Sequence, residues 1–294
     1  MKKILITGAG SFVGTNIERW LQKWPSEYQV DTVDTMNYAW SKACISEYDV
    51  VFHVAGIAHV DPKPEMAPLY YKVNRDLTLE IARWAKEGGV KQFIYMSSGI
   101  VYHASKSLVS NVIDCSTKPE PNDFYGDSKL QAELGLKELE CDTFKITILR
   151  PPMIYGPNCK GNFLRLGWLA TKTPVFPAWH NKRSMLFIDN LAEFVKQLID
   201  RELSGVFFPQ NKELADTVEI VRYFAHKYNK RIWISRIFNP LVWLGSFFLK
   251  PIPKMFSDSY YVPEMSRYEF EYQLVSFEES MKGLEITEKN RKMK

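Results

Sequence analysis

The chain has 294 residues, 46% of them hydrophobic and 24% charged, which is enough for one large α/β domain or a domain with a smaller lobe. Its 38 basic and 34 acidic residues leave a net charge of +4, an excess too small and too dispersed to point to nucleic acid, though compatible with an anionic ligand. The four cysteines, Cys44, Cys115, Cys141 and Cys159, show no Cys-x-x-Cys pair and no His/Cys ligand spacing, so they read as reduced thiols in a cytoplasmic protein without a metal site.

MKKILITGAG lacks the long apolar core and small-residue cleavage site of a signal peptide, so 3–9 reads as a strand. Helical periodicity covers 11–24, and strands follow at 29–34 and 48–56. A long helix lies within 66–89 and ends in Gly-Gly; a strand at 91–98, a helix at 125–140 and a strand at 144–152 come next. Apolar strands alternating with amphipathic helices predict an α/β fold, a doubly wound parallel sheet of the Rossmann type with ligands at the C-terminal ends of its strands. After Pro157 the rhythm loosens. Residues 183–200 read as a strand and a helix and 204–209 as a further strand, all returned to the main sheet. This assigns 1–157 and 183–209 to a dinucleotide-binding domain, and 158–182 with 210–294 to a smaller C-terminal substrate lobe. The apolar run 237–249 is broken by Asn239, Pro240 and Gly245 and falls short of the ~20 residues that span a bilayer. It reads as a packed helix rather than an interfacial membrane contact. The tail 287–294 reads as a frayed end.

TGAGSFVG (7–14) follows the first strand and opens the first helix. Gly8, Gly10 and Gly14 allow a tight turn, and the backbone from Gly8 through Ser11, Phe12 and Val13 can approach a pyrophosphate at the helix N-terminus. Asp34 ends the second strand, where a carboxylate accepts from an adenosine ribose and repels a 2′-phosphate. No base follows before Lys42, which favours NAD over NADP. Tyr125 and Lys129 stand four apart on a predicted helix and therefore share a face. A phenol with its usual pKa of ~10 is a poor base at neutral pH. An ammonium and a cationic nicotinamide ring beside it would favour the phenolate.

TGAGSFVG, Asp34, FHVAG (52–56), YKVN (71–74), SSGIVY (97–102), YGDSK (125–129) and LRPPMIYGP (149–157) occur in this order. That order resembles the extended short-chain dehydrogenase/reductases, in particular nucleotide-sugar enzymes of the UDP-glucose 4-epimerase type. RPPMIYGPNCKGNFLRL and NKRSMLFIDNL are similar to the bacterial UDP-N-acetylquinovosamine 4-ketoreductases and related 4-epimerases. The resemblance covers about residues 1–210 well and the rest weakly. It implies Tyr125 as acid/base, Lys129 as its partner and a hold on the nicotinamide ribose, Ser98 (favoured by register over its neighbour Ser97) as the hydrogen-bond partner of the reacting oxygen, and Asn74 as the residue that fixes their geometry, with a helix N-cap as its other or additional role. It implies Ala55, Gly56 and Pro152 beside the cofactor. Arg183, Lys160, Asn162 and Arg165 are implied around a substrate diphosphate, and a homodimer is implied through the helices near Asn74 and Tyr125.

Three positions depart from the pattern. Ser11 stands in place of a glycine and fits if its φ is negative; His103 stands where glycine is usual; Met153 stands where many 4-epimerases carry asparagine. Gly99 and Ile100 stand where the 4,6-dehydratases carry an Asp-Glu pair, which argues against dehydration. Two reactions at C4 of a UDP-sugar then fit: 4-epimerisation, or one-way reduction of a 4-keto sugar in polysaccharide synthesis. A non-catalytic NAD sensor is disfavoured because Tyr125 and Lys129 are both present.

Overall fold

Along the central strands alternate residues bury on opposite sides of one sheet. Strand β1 (Lys2–Thr7) sends Ile4 and Ile6 into one core and Leu5 into the other. Strand β3 (Val50–His53) divides Val50 and Phe52 from Val51, and β4 (Gln92–Met96) divides Ile94 from Phe93 and Tyr95. A strand apolar on both faces is stable only between two layers of helix, which is the reason these runs read as continuous β-branched and aromatic stretches. The computed structural model describes residues 1–35, 45–58, 63–102, 107–159, 162–249 and 251–286. Lys42, Cys44, His103, Lys160 and the tail 287–294 lie outside them.

The main sheet is parallel throughout, with order β10-β6-β4-β3-β1-β2, where β2 is Tyr28–Val33, β6 Lys145–Leu149 and β10 Gly205–Phe207. Helices α1 (Phe12–Leu21) and α6 (Ile188–Asp200) cover one face through Ile17, Leu21, Leu191 and Leu198. Helices α3 (Leu77–Glu87) and α4 (Phe124–Leu139) cover the other through Ile81, Ala85, Ala132 and Leu136. Leu77 and Trp84, half-buried, pack against this second core too. The chain steps from β1 to β2 on one side and to β3 on the other. That reversal opens a crevice at the C-terminal ends of β1 and β3.

Three parallel ladders of two strands lie outside the main sheet: β5 (Asn111–Ile113) with β12 (Ser259–Tyr261), β7 (Met153–Tyr155) with β9 (Met185–Phe187), and β8 (Val175–Pro177) with β11 (Trp233–Ser235). The strand expected on the main sheet near 183–187 is therefore found on β7 instead; it has only three residues, and the sheet edge is taken by β10. The remaining helices are α2 (Ala67–Tyr71), α5 (Asn162–Lys172), α7 (Thr217–Lys227), α8 (Asn239–Gly245), α9 (Pro251–Phe256) and α10 (Phe277–Lys282). Helix α8 does not pack as expected: of its large apolar residues Val242 is buried, while Leu241, Trp243 and Leu244 are exposed. Among the described residues no helix is long and apolar enough to cross a membrane.

Candidate active site

At the end of β1 the chain turns through two left-handed glycines, Gly8 at φ 92° and Gly10 at φ 72°. Both conformations are open to glycine at no steric cost. Ser11 has φ −70°, so the departure from glycine there carries no strain. It also caps α1: its Oγ accepts from the Gly14 amide at 3.0 Å. A Cβ on Gly8 would meet the Ala55 nitrogen at 3.0 Å, so the turn lies against the loop that follows β3. The exposed Asp34 follows the end of β2. Backbone amides at a helix N-terminus, no side chain in the way and a carboxylate at the next strand end fit an adenine dinucleotide.

Lys129 and Asn74 converge on Gly56. A Cβ at Gly56 would lie 2.9 Å from Asn74 Oδ1 and 3.3 Å from Lys129 Nζ. Lys129 is buried on α4 and donates to the Met96 carbonyl at 3.0 Å. Burial pulls its pKa down to about 8, against the raising pull of the Glu133 carboxylate. Tyr125, one turn earlier and half-buried, packs edge-on to Tyr70 with ring centres 5.9 Å apart. Burial pushes its phenol up to about 12, and a hydrogen bond with Ser98 works in the opposite sense. The expected lowering of this phenol by Lys129 is not seen in the protein alone: burial sets the direction, and the ammonium is turned to Met96.

Of the two candidate serines, Ser97 is buried and donates to Glu133 at 2.5 Å, whereas Ser98 lies beside Tyr125. Ser98 also caps the short turn Gly99–Val101 by accepting from Ile100 N at 3.3 Å. Asn74 is fully buried in a π-helical turn, Lys72–Asp76, and is not the helix N-cap of the alternative reading. Its Oδ1 accepts from Ile57 N at 2.8 Å, and its Nδ2 donates to Ile57 O and Ser128 Oγ, both at 3.2 Å. One side chain thus ties the loop after β3 to the helix that carries Tyr125 and Lys129.

Beneath this cluster lie residues that sequence reasoning passed over. Glu133, one turn beyond Lys129, and Arg150, which follows β6, form a fully buried ion pair, with Arg150 Nε 3.1 Å from each carboxylate oxygen. Arg150 also donates to the Tyr102 hydroxyl at 2.7 Å. The i, i+4, i+8 spacing of Tyr125, Lys129 and Glu133 was the available signal. His53, at the end of β3, is wholly buried, 2.7 Å from Thr7 Oγ1 and 2.9 Å from Thr78 Oγ1. Thr78 donates its one hydrogen to the Asn74 carbonyl at 2.9 Å, so Nε2 of His53 carries the ring proton and Nδ1 accepts from Thr7.

Burial with the Lys129 charge nearby holds His53 neutral, at a pKa of about 3 against an ordinary 6.5. The unfolded imidazole therefore binds a proton that the native one refuses between those two values. This part of the stability is complete above pH 6.5 and is lost as pH falls. Unfolding by urea at pH 7 and pH 5 is expected to show about 2 kcal/mol less stability at the lower pH from this group. His53→Gln is expected to lose that much less over the same interval; equal losses would show that His53 is not responsible.

The diphosphate-side residues are spread more widely. Arg183 is half-buried, bridges Ala215 and Ser259 through its backbone, and donates from its guanidinium to the Lys254 carbonyl of α9. Arg165 is exposed on α5, and the side chain of Asn162 is outside the described set. Pro152 and Met153 are half-buried where the chain leaves β6 for β7. Among the described residues no group of three His, Cys, Asp or Glu could hold a metal.

Residues 4–206 match the family model described as the NAD dependent epimerase/dehydratase family. The chain is 33% identical over 256 residues to a UDP-glucose 4-epimerase of Vibrio cholerae, covering 79% of this chain and 77% of the relative. It is 28% identical over 279 residues to the N-acetyl-α-D-glucosaminyl-diphospho-ditrans,octacis-undecaprenol 4-epimerase of Escherichia coli O157:H7, covering 88% and 82%. Its fold is similar to the crystal structure of a UDP-glucuronic acid 4-epimerase from Bacillus cereus in complex with NAD, with a TM-score of 0.74 and 19% identity over 96% of this chain and 97% of that one. The matched region takes in the glycine turn, Ser98 and the whole Tyr125 helix, and the chain accordingly belongs to the NAD dependent epimerase/dehydratase family and is an enzyme that uses NAD.

Proposed function

We propose that the protein is a 4-epimerase of a UDP-linked sugar that works through a 4-keto intermediate. The observation that carries this reading is the convergence of Tyr125, Ser98, Lys129 and Asn74 beside the glycine turn, at the C-terminal ends of β1, β3 and β4. NAD bound along the turn supplies a reversible two-electron acceptor that is cationic when oxidised. Tyr125 then exchanges a proton with the C4 oxygen. With its pKa held at about 12 by burial, the phenol keeps its proton until positive charge is added beside it, so proton removal is coupled to the charge state of the site. Ser98 donates to the same oxygen. Lys129 carries its ammonium one helical turn from Tyr125, donated to the Met96 carbonyl. Asn74 is a positioning residue that sets the Gly56 loop against α4. Arg183 is assigned to the substrate diphosphate, with Arg165 as a further candidate; Lys160 and the Asn162 side chain, the other two, lie outside the described residues.

Dehydration is disfavoured on steric grounds. A Cβ on Gly99 would sit 2.5 Å from the Tyr261 hydroxyl, which is fixed by donating to the Arg150 carbonyl at 2.9 Å. There is no space for an acid in the position after Ser98. One-way reduction of a 4-keto sugar uses the same residues and is separated by assay. Purified protein is expected to interconvert a UDP-hexose or UDP-N-acetylhexosamine and its C4 epimer without added cofactor. Consumption of added NADH only in the presence of a 4-keto-6-deoxy sugar would replace epimerisation with reduction, and inactivity in both assays would overturn the reading. A homodimer through the outer faces of α3 and α4, where Leu134 is exposed, belongs to the same proposal.

A further inference from the structure

The positive charge of the chain is concentrated, contrary to the even spread expected from its total. Residues 220–257 hold seven Lys and Arg and no Asp or Glu, so the other 256 residues, with 31 basic and 34 acidic, are net negative. Lys230, Arg231, Arg236 and Lys254 of this stretch are all exposed. The same stretch carries half of the large apolar side chains exposed among the described residues: eight of sixteen fall in 233–249. Phe248 is 77% exposed, Ile237 68% and Trp233 60%. Ile237, Leu241, Leu244 and Phe248 follow a helical spacing of four, three and four in the sequence; Leu241 and Leu244 lie on α8, Ile237 in the turn before it and Phe248 in the turn after it.

The segment is held to the body from behind. Val242 is buried, β11 pairs with β8, and Asn239 donates to the Ala178 carbonyl at 3.2 Å. Phe256 packs on Phe176 with ring centres 5.7 Å apart. On the outer side Trp243 and Phe247 contact each other edge-on at 5.0 Å and are both exposed. A contiguous apolar patch of this kind on a soluble fold marks a contact surface. We propose that the 233–249 face docks the protein on an anionic lipid bilayer, lying in the interface without crossing it. Trp and Phe side chains suit the boundary between headgroups and acyl chains, and flanking Lys and Arg suit lipid phosphates. A second copy is the poorer occupant, since pairing this face with itself brings two acid-free basic stretches together.

The test is co-sedimentation of the full chain with vesicles of phosphatidylcholine alone or with about 30% phosphatidylglycerol. Binding is expected to rise at least ~5-fold with the anionic lipid and to weaken as salt is added. Trp243→Asp with Phe247→Asp is expected to reduce binding about tenfold while melting temperature and NAD binding stay unchanged. If that variant fails to fold, Arg231→Glu with Arg236→Glu takes its place, with loss of the preference for anionic vesicles expected. Equal sedimentation with and without vesicles, or variants that bind like the parent, would overturn the proposal. So would a dimer in analytical ultracentrifugation that the Asp variant dissolves in the absence of lipid, which would give the face to a second copy.

Discussion

Glu133→Ala is expected to cost about 3–5 kcal/mol of folding stability, because it strands the Arg150 guanidinium in a core where the pair excludes water. The carboxylate also accepts from Ser97, and its loss leaves that hydroxyl without its partner. Adding Arg150→Met removes the uncompensated charge, so the double variant is expected to be more stable than Glu133→Ala alone. Denaturant unfolding of the parent, the two single variants and the double variant tests this, and additive losses would show that the pair is not coupled. A second readout concerns the site. Glu133 supports the charge on Lys129, which has a pKa of about 8 and is protonated below it. Activity that needs the ammonium falls as pH rises past that value. Removing the Glu133 carboxylate is expected to bring the alkaline fall to lower pH, a shift that a purely structural role would not produce.

Tyr125→Phe is expected to lower kcat by about 10²–10⁴-fold while KM and melting temperature change little. The ring is retained, so its contacts with Tyr70 and its half-buried place on α4 survive. Only the hydroxyl opposite Ser98 is removed. Steady-state kinetics on the UDP-sugar, with bound NAD measured after denaturation, distinguishes loss of the proton carrier from loss of the cofactor. A Phe variant that keeps full activity would remove Tyr125 from the chemistry.

The parts of this molecule that were legible in sequence are those whose physics is local. KILIT and QFIYM bury both faces, so their composition alone marks them as inner strands. The glycine turn was legible because its φ angles demand it, and Ser11 could be judged from the sign of one torsion. Helix α4 was the opposite case. Its buried side carries Ser128, Lys129 and Glu133, so polar residues face inward and amphipathicity gives no guide to orientation. Register already favoured Ser98 over Ser97, but the partner that occupies Ser97, Glu133, is 36 residues away, and no local pattern reports it. Asn74 had the composition of a cap and the place of a π turn. The 237–249 run looked like core because hydrophobicity says that a side chain avoids water, not what will cover it.

The π turn at Lys72–Asp76 has a further effect on the helix that contains it. A widened turn accommodates one extra residue, and one residue of α-helix is about 100° of rotation. The segment therefore behaves as two gears on one shaft, set out of phase. Past the turn, Ile81, Ala82 and Ala85 mesh with the sheet. At the turn, Asn74 is rotated to meet Ile57 and Ser128. The phase offset lets one continuous helical rod satisfy two partners whose directions an unbroken α-helix could not serve together.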